Sequence, residues 1–440
     1  MKRLLGVLCG VVFSLALNAQ MNQVEFKEFT LDNGLQVILH KDSSTPIVAV
    51  SVMYHVGSKN EQPDRTGFAH FFEHLLFEGT ENIERGEYDK YVEKAGGTLN
   101  ANTSNDRTYY YEILPSNQLE MGLWLESERM LHAKVENKGI ETQREVVKEE
   151  RRQRIDNQPY GSILQEAMKR AYTKHPYNWP VIGSMDHLNA AVESDYVNFY
   201  KTFYVPNNAI LSIAGDLDYV AAEQMIRKYF GQIPAGTGDI YRPSIVEPEM
   251  TMEIRDTIYD NVQLPAVVQT YRIPAQGTPD FYAVEMLGTL LSQGQSSRLY
   301  RTCVDNEQKA VFVGSFPLGL EDPGVNIAFG IANMGVDPAD LEASMDGVIV
   351  STQNELISDE EFQKLKNQTE NDFISRNSRV AGIAESLANY KMYFGDANLV
   401  NTELDRYLAV TKEDIQRVAK KYFAQSNRVV LYYLPKPNTP

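Results

Sequence analysis

Two hydrophobic periods share this chain, and the order in which they follow one another repeats. Residues Val24–Leu31 and Leu35–His40 alternate apolar and polar around Asp32-Asn33-Gly34, which predicts a hairpin. Ile47–Val56, rich in β-branched residues, predicts a third strand. A short helix is expected over Thr66–Phe77, stopped at Gly79, and another over Glu87–Lys94, ended by Gly96-Gly97. Thr98–Thr103 and Arg107–Leu114 read as two more strands. From Asn117 the period becomes helical. Leu119, Met121, Leu123, Leu125 and Met130 mark one helix, and Glu136–Ile155 is a long, highly charged one. Helices also fit Ser162–Tyr172, Met185–Ala191 and Ser194–Phe203. The continuous apolar run Ala209–Ala214 then predicts a buried strand, followed by a helix to Phe230.

Gly231–Glu249 is rich in Gly and Pro with weak periodicity, and beyond it the order restarts. Strands are expected near Met252–Tyr259 and Ala266–Ile273, and a helix at Phe281–Ser292. Two further strands at Ala310–Phe316 and Val325–Ile331 precede helices to Phe423 and a last strand, Arg428–Leu434. Asp195–Ala214 can be laid on Asp414–Tyr433 without a gap, at an offset of 219 residues. Asp195 meets Asp414, Tyr204 meets Phe423 and Asn208 meets Asn427. The matching element order makes this an internal duplication. The expected fold class is therefore α+β, with two homologous α/β-layered domains, each a largely antiparallel sheet with helices packed on it. Expected bounds are a signal peptide over residues 1–19, a first domain over 20–235, a linker over 236–249 and a second domain over 250–440.

Composition adds constraints. At 440 residues the chain exceeds one hydrophobic core. A formal charge of −17 argues against nucleic acid as a partner. Lys2 and Arg3 before the apolar run Leu4–Leu17, with Ala19 as a small cleavage residue, read as a secretory signal. Its removal takes the charge to −19, leaves Cys303 as the only cysteine, and leaves no segment expected to span a membrane stably. The expected location is periplasmic or extracellular.

The candidate chemistry lies in His70-x-x-Glu73-His74, within the first predicted helix. His70 and His74 are one turn apart on one face, and Glu73 leans over the same patch. Phe71, Phe72, Leu75 and Leu76 surround that stripe, so the polar groups are buried and need partners. A pair of hydrogen-bonded core histidines would satisfy them, and so would a divalent metal. The spacing is that of the inverted zinc-protease motif, in which two His bind metal and the Glu acts on water. A catalytic zinc takes a third protein ligand from another element. Glu141, Glu145, Glu149 and Glu150 of the charged helix are all candidates, and spacing does not choose among them. In the second half the corresponding stretch, Glu285–Leu291, has no histidine pair, so the chemistry is expected in the first half alone.

Over nearly the whole mature chain the sequence resembles the pitrilysin-like metallopeptidase family, family M16, especially its short members related to the mitochondrial processing peptidase. The resemblance is carried by Asp32–Leu35, His70–His74, Gly96–Ala101, Arg144-Glu145-Val146-Val147-x-x-Glu150, Val205–Asn208, Gly215-Asp216 and Ser296–Leu299. It implies half of a clamshell, one Zn2+ per chain held by His70, His74 and Glu150, and Glu73 as the general base of peptide hydrolysis. It also implies substrate binding along an edge strand at Asn100, Ala101 and Asn102. The family often places a supporting carboxylate where this chain has Gln143. Self-sufficient members grip substrate with an Arg and a Tyr, at positions that count from Arg298 to Val304 and Val311. The resemblance therefore implies a zinc-dependent endopeptidase that pairs with a homologous Arg/Tyr-bearing subunit as a heterodimer, with a homodimer as the fallback. The alternative function is a non-catalytic scaffold or peptide-binding subunit. Tyr109-Tyr110-Tyr111 reads as packing.

Overall fold

The alternating and continuous apolar runs become eleven strands in a computed structural model that describes residues 23–437. The predicted signal segment lies outside the described residues. The first half contributes β1 (Lys27–Thr30), β2 (Gln36–Lys41), β3 (Ile47–Tyr54), β4 (Thr98–Thr103), β5 (Thr108–Pro115) and β6 (Ala209–Gly215). They form one sheet in the order β1-β2-β6-β3-β5-β4. The second half contributes β7 (Ile254–Asp260), β8 (Ala266–Arg272), β9 (Ala310–Leu318), β10 (Val325–Ala332) and β11 (Arg428–Pro435), in the order β7-β11-β8-β10-β9. The predicted hairpin forms, with Lys27 opposite Leu39 in antiparallel register.

The two orders superimpose when β2 is laid on β7, β6 on β11, β3 on β8, β5 on β10 and β4 on β9. In each sheet one pair is parallel, β2 with β6 and β7 with β11, and the rest are antiparallel. The 219-residue offset reaches single hydrogen bonds. Asn208 Nδ2 donates to Phe203 O at 2.8 Å, and Asn427 Nδ2 donates to Tyr422 O at 2.7 Å. Asp195 Oδ2 accepts from Val192 N, and Asp414 Oδ2 accepts from Thr411 N, each at 3.1 Å. Each pair satisfies an otherwise orphaned backbone group at a helix end.

One face of each sheet is covered by helices of its own half. The helices Leu119–His132, Glu193–Phe203 and Tyr219–Phe230 cover the first sheet. Pro279–Ser292, Pro338–Asn354 and Lys412–Tyr422 cover the second. The opposite faces are covered by exchange. Val380–Phe394 of the second half packs on Ile38, Ala49, Met53 and Ile210 of the first sheet. Ile163–Ala171 of the first half packs on Ala266, Val268, Val429 and Leu431 of the second. Moved by the same offset, the latter helix falls inside the former. Because both faces are covered, all seven residues of β6 are buried, which is why that strand reads as a continuous apolar run. Tyr109 and Tyr110 are likewise buried in β5, as packing residues. Among the described residues no helix is long and apolar enough to cross a membrane.

Candidate metal centre

The histidine helix runs Phe68–Leu75, shorter at both ends than the periodicity predicts. Its start is fixed by a backbone crossing. Gly67 at φ 94° and Gly183 at φ 75° touch, and a Cβ on Gly183 would lie 2.3 Å from Gly67 Cα. No other residue fits there without moving backbone. The first helical amides are capped from a distance, since the buried Glu61 carboxylate accepts from Gly67 N and Ala69 N, both at 2.8 Å. Burial pushes the Glu61 carboxyl up to about 8 against these hydrogen bonds. Phe68, Phe71, Phe72 and Leu75 are buried in the core, with Phe68 stacked on Tyr196 at 4.6 Å. That packing turns His70, Glu73 and His74 towards the helix that carries Glu150.

This second helix spans Asn137–Arg151 and continues into a wide turn, Arg152–Asp156. Glu150 Oε2 lies 3.1 Å from His74 Nε2 and 3.5 Å from His70 Nε2. Candidate donor atoms of the three residues all lie within 4.8 Å of one another. Tetrahedral zinc with nitrogen and oxygen ligands at ~2.0–2.1 Å sets those atoms ~3.3 Å apart, so the donor set fits zinc in type and spacing. Burial, and then the neighbouring His74, push His70 down to about 4, so its imidazole is neutral with a free lone pair at neutral pH. The His74 hydrogen bond holds the Glu150 carboxyl below its usual range despite partial burial. Arg154 Nη1, 2.8 Å from Glu150 Oε1, occupies the second carboxylate oxygen. His70 Nδ1 is buried without a hydrogen-bond partner.

The other three carboxylates weighed from the sequence point away. The side chains of Glu141, Glu145 and Glu149 are 65%, 66% and 53% exposed, against 14% for Glu150. Gln143 donates to Glu78 Oε1 at 2.5 Å, so a neutral amide and a neighbouring acid occupy the region where a carboxylate is expected. Glu73 Oε2 accepts a 2.6 Å hydrogen bond from Thr103 Oγ1, and burial raises its pKa against that bond.

Thr103 ends β4, the edge strand of the first sheet, which pairs only with β5. Asn100, Ala101 and Asn102 lie on this strand. Ala101 packs towards the core beneath the histidine helix, whereas Asn100 and Asn102 are exposed on the opposite face. Asn102 Oδ1 accepts from Arg107 Nη1 at 2.8 Å. In the second half, Pro279–Ser292 has no histidine. Val304 packs on the second core, and Val311 is exposed on β9, the second sheet's edge. Sequence reasoning places Thr103 on the edge strand but misses its bond to Glu73, and it misses Glu61. Thr103 lies at the end of a predicted strand, 30 residues from the carboxylate it orients, and nothing in local spacing marks either residue.

The fold and the donor set define a class, and comparison with known proteins fixes it. Residues 36–184 match the family described as insulinase (peptidase family M16), and residues 194–369 match the peptidase M16 inactive domain. The second match begins before β6 closes the first sheet. The zinc protease PqqE of Helicobacter pylori is 31% identical over 439 residues, covering 99% of each chain. A crystal structure of a protease from Helicobacter pylori superimposes with a TM-score of 0.89 at 30% identity, covering 94% of this chain and 100% of that one. A probable mitochondrial-processing peptidase subunit beta of Arabidopsis thaliana is 23% identical over 420 residues, 92% of this chain and 77% of that protein. The chain belongs to peptidase family M16, and its two homologous α+β halves make up half of a clamshell.

Proposed function

We propose that this chain is a zinc-dependent endopeptidase that hydrolyses peptides or unfolded polypeptide segments. The observation that carries the reading is the approach of Glu150 Oε2 to both His74 Nε2 and His70 Nε2, with Glu73 held beside them by Thr103. His70, His74 and Glu150 would hold one zinc ion per chain. Bound zinc supplies a Lewis acid that makes water nucleophilic near neutral pH and polarises a carbonyl. Glu73 takes the proton of the attacking water and passes it to the leaving amine nitrogen. Thr103 fixes the carboxylate oxygen that does not receive the proton, so that the other faces the substrate. An extended substrate adds to the free edge of β4 by backbone pairing along Asn100, Ala101 and Asn102.

The second half has no histidine pair on its corresponding helix, which supports a division of labour in which only the first half is catalytic. Val304 and Val311 in place of Arg and Tyr support a heterodimer with a similar chain that supplies those groups. The basic and apolar N-terminus supports a periplasmic or extracellular location. The test is a quenched-fluorescence peptide assay on the purified chain, alone and mixed with a metal-free homologous subunit. Cleavage that is lost to chelator and restored by zinc is expected, with the mixture faster than the chain alone. A chain that carries stoichiometric zinc yet cleaves nothing in either arm would overturn the reading in favour of a peptide-binding or scaffold role.

A further inference from the structure

Lys59 is a lysine only 4% exposed, in the short turn Ser58–Asn60. Its ammonium lies among three carboxylates, 3.0 Å from Asp106 Oδ1, 2.5 Å from Glu321 Oε2 and 3.3 Å from Asp322 Oδ2. His55 Nε2 lies 2.9 Å from Glu321 and His175 Nε2 lies 3.4 Å from Asp322. Tyr177 Oη donates to Asp106 Oδ1 at 2.6 Å and accepts from Asp322 N at 3.1 Å, and Glu321 N donates to Asp106 Oδ2 at 3.0 Å. Two of the acids belong to the turn between β9 and β10, and the third to the turn between β4 and β5. These turns correspond in the two halves, so the cluster joins them tip to tip around one buried charge.

Two of the first-half segments in the cluster, those of Lys59 and Asp106, reach the histidine helix within three residues. Two residues after Lys59, Glu61 holds the amides of Gly67 and Ala69. Three residues before Asp106, Thr103 holds Glu73. The two segments are also bound to each other, since Ser58 N donates to Ser104 O at 3.2 Å and Lys59 N donates to Asn105 O at 2.9 Å. A buried lysine paired this way is costly to leave half-paired, because removing one partner strands the remaining charges without water.

We propose that Lys59 is a positioning residue through which the second half of the chain holds the histidine helix in register with the edge strand. Clamped by Glu321 and Asp322, it fixes the turn before Glu61 and the turn after Thr103 together. The second half thus contributes to the site without contributing a donor to it. The catalytic consequence rests on the peptidase reading above, whereas the mechanical one does not.

The test is hydrogen–deuterium exchange on the metal-free full chain, comparing wild type with the double variant Glu321→Gln/Asp322→Asn, whose sites are partly exposed and in the other half. Lys59→Met is the matching first-half variant, and Arg417→Met, which breaks the Arg417–Asp280 pair elsewhere in the second half, is the control. Exchange over residues 66–77 is expected to rise at least about tenfold in the first two variants, with the helix Lys412–Tyr422 and the control unchanged. In cleavage assays kcat should fall by a similar factor at constant KM. Exchange over 66–77 within twofold of wild type, or a rise spread evenly over the chain, overturns the proposal. Absence of cleavage by the wild type would count against the peptidase reading instead, and the exchange result still decides this one.

Discussion

Thr103 Oγ1 donates a 2.6 Å hydrogen bond to Glu73 Oε2, from the end of an edge strand to the middle of a buried helix. This bond joins the surface on which substrate would lie to the group that would move its proton. A hydrogen bond to a charged partner contributes ~1.5–3 kcal/mol. Thr103→Val keeps the shape and removes the donor, so kcat should fall ~10–100-fold. Zinc content should not change, and Thr103→Ser should restore most of the rate. Steady-state kinetics with metal analysis on the three proteins checks this.

Glu150 is the acid of its helix that meets the histidines, and the prediction is correspondingly selective. Glu150→Gln should lose most of its zinc on dialysis, whereas Glu141→Gln, Glu145→Gln and Glu149→Gln should keep one ion per chain. Inductively coupled plasma mass spectrometry of the dialysed proteins reads the outcome directly. Retention of full zinc by Glu150→Gln would mean that another group completes the site.

The crossing of Gly67 and Gly183 sets the entry angle of the histidine helix, and it leaves no room for a methyl group. At Gly183 an added Cβ meets backbone at 2.3 Å, and the left-handed conformation adds strain. Gly183→Ala should cost ~2–4 kcal/mol of stability. Gly395→Ala, with a similar φ of 70° but nothing within 4 Å, should cost only ~1 kcal/mol. Denaturant titration of both variants measures the difference.

The charge cluster around Lys59 gives a pH dependence of defined sign. Burial alone would raise the Glu321 carboxyl, but the His55 hydrogen bond and charge and then the Lys59 ammonium outweigh it and bring it down to about 2. A carboxyl lowered on folding stabilises the folded chain above its unfolded pKa near 4.5 and loses that contribution as pH falls through about 2. The stability gap between wild type and Glu321→Gln should therefore be full at pH 6, on the order of 2 kcal/mol, and close between pH 4.5 and 2. Thermal melts across that range check it. A gap that widens on acidification would contradict the assigned sign.

Some of this architecture is written in short-range pattern and some is not. The histidine pair shows in the sequence because a helix puts residues four apart on one face, and the duplication shows because Asn208 and Asn427 make the same bond in the same setting. Glu150 does not follow from spacing, since its neighbours Glu145 and Glu149 are equally acidic and only packing decides which one turns inward. Only the family resemblance singles it out. Lys59, between Ser58 and Asn60, reads as a surface residue, and its burial depends on a turn more than 260 residues away. Periodicity predicts the first exchanged helix as Ser162–Tyr172 and leaves Val380–Phe394 inside an undivided helical stretch up to Phe423, and their destination on the opposite half's sheet is a tertiary choice that periodicity does not encode.

If Glu73 moves the proton while His70, His74 and Glu150 hold the metal, Glu73→Gln separates the two roles. The variant is nearly isosteric and leaves all three donors in place. Zinc content and peptide cleavage should be measured on the same preparation, with the homologous subunit present. Glu73→Gln should carry one zinc per chain and lose kcat by at least ~10³-fold. Full peptidase activity in Glu73→Gln, with zinc bound, would contradict that assignment.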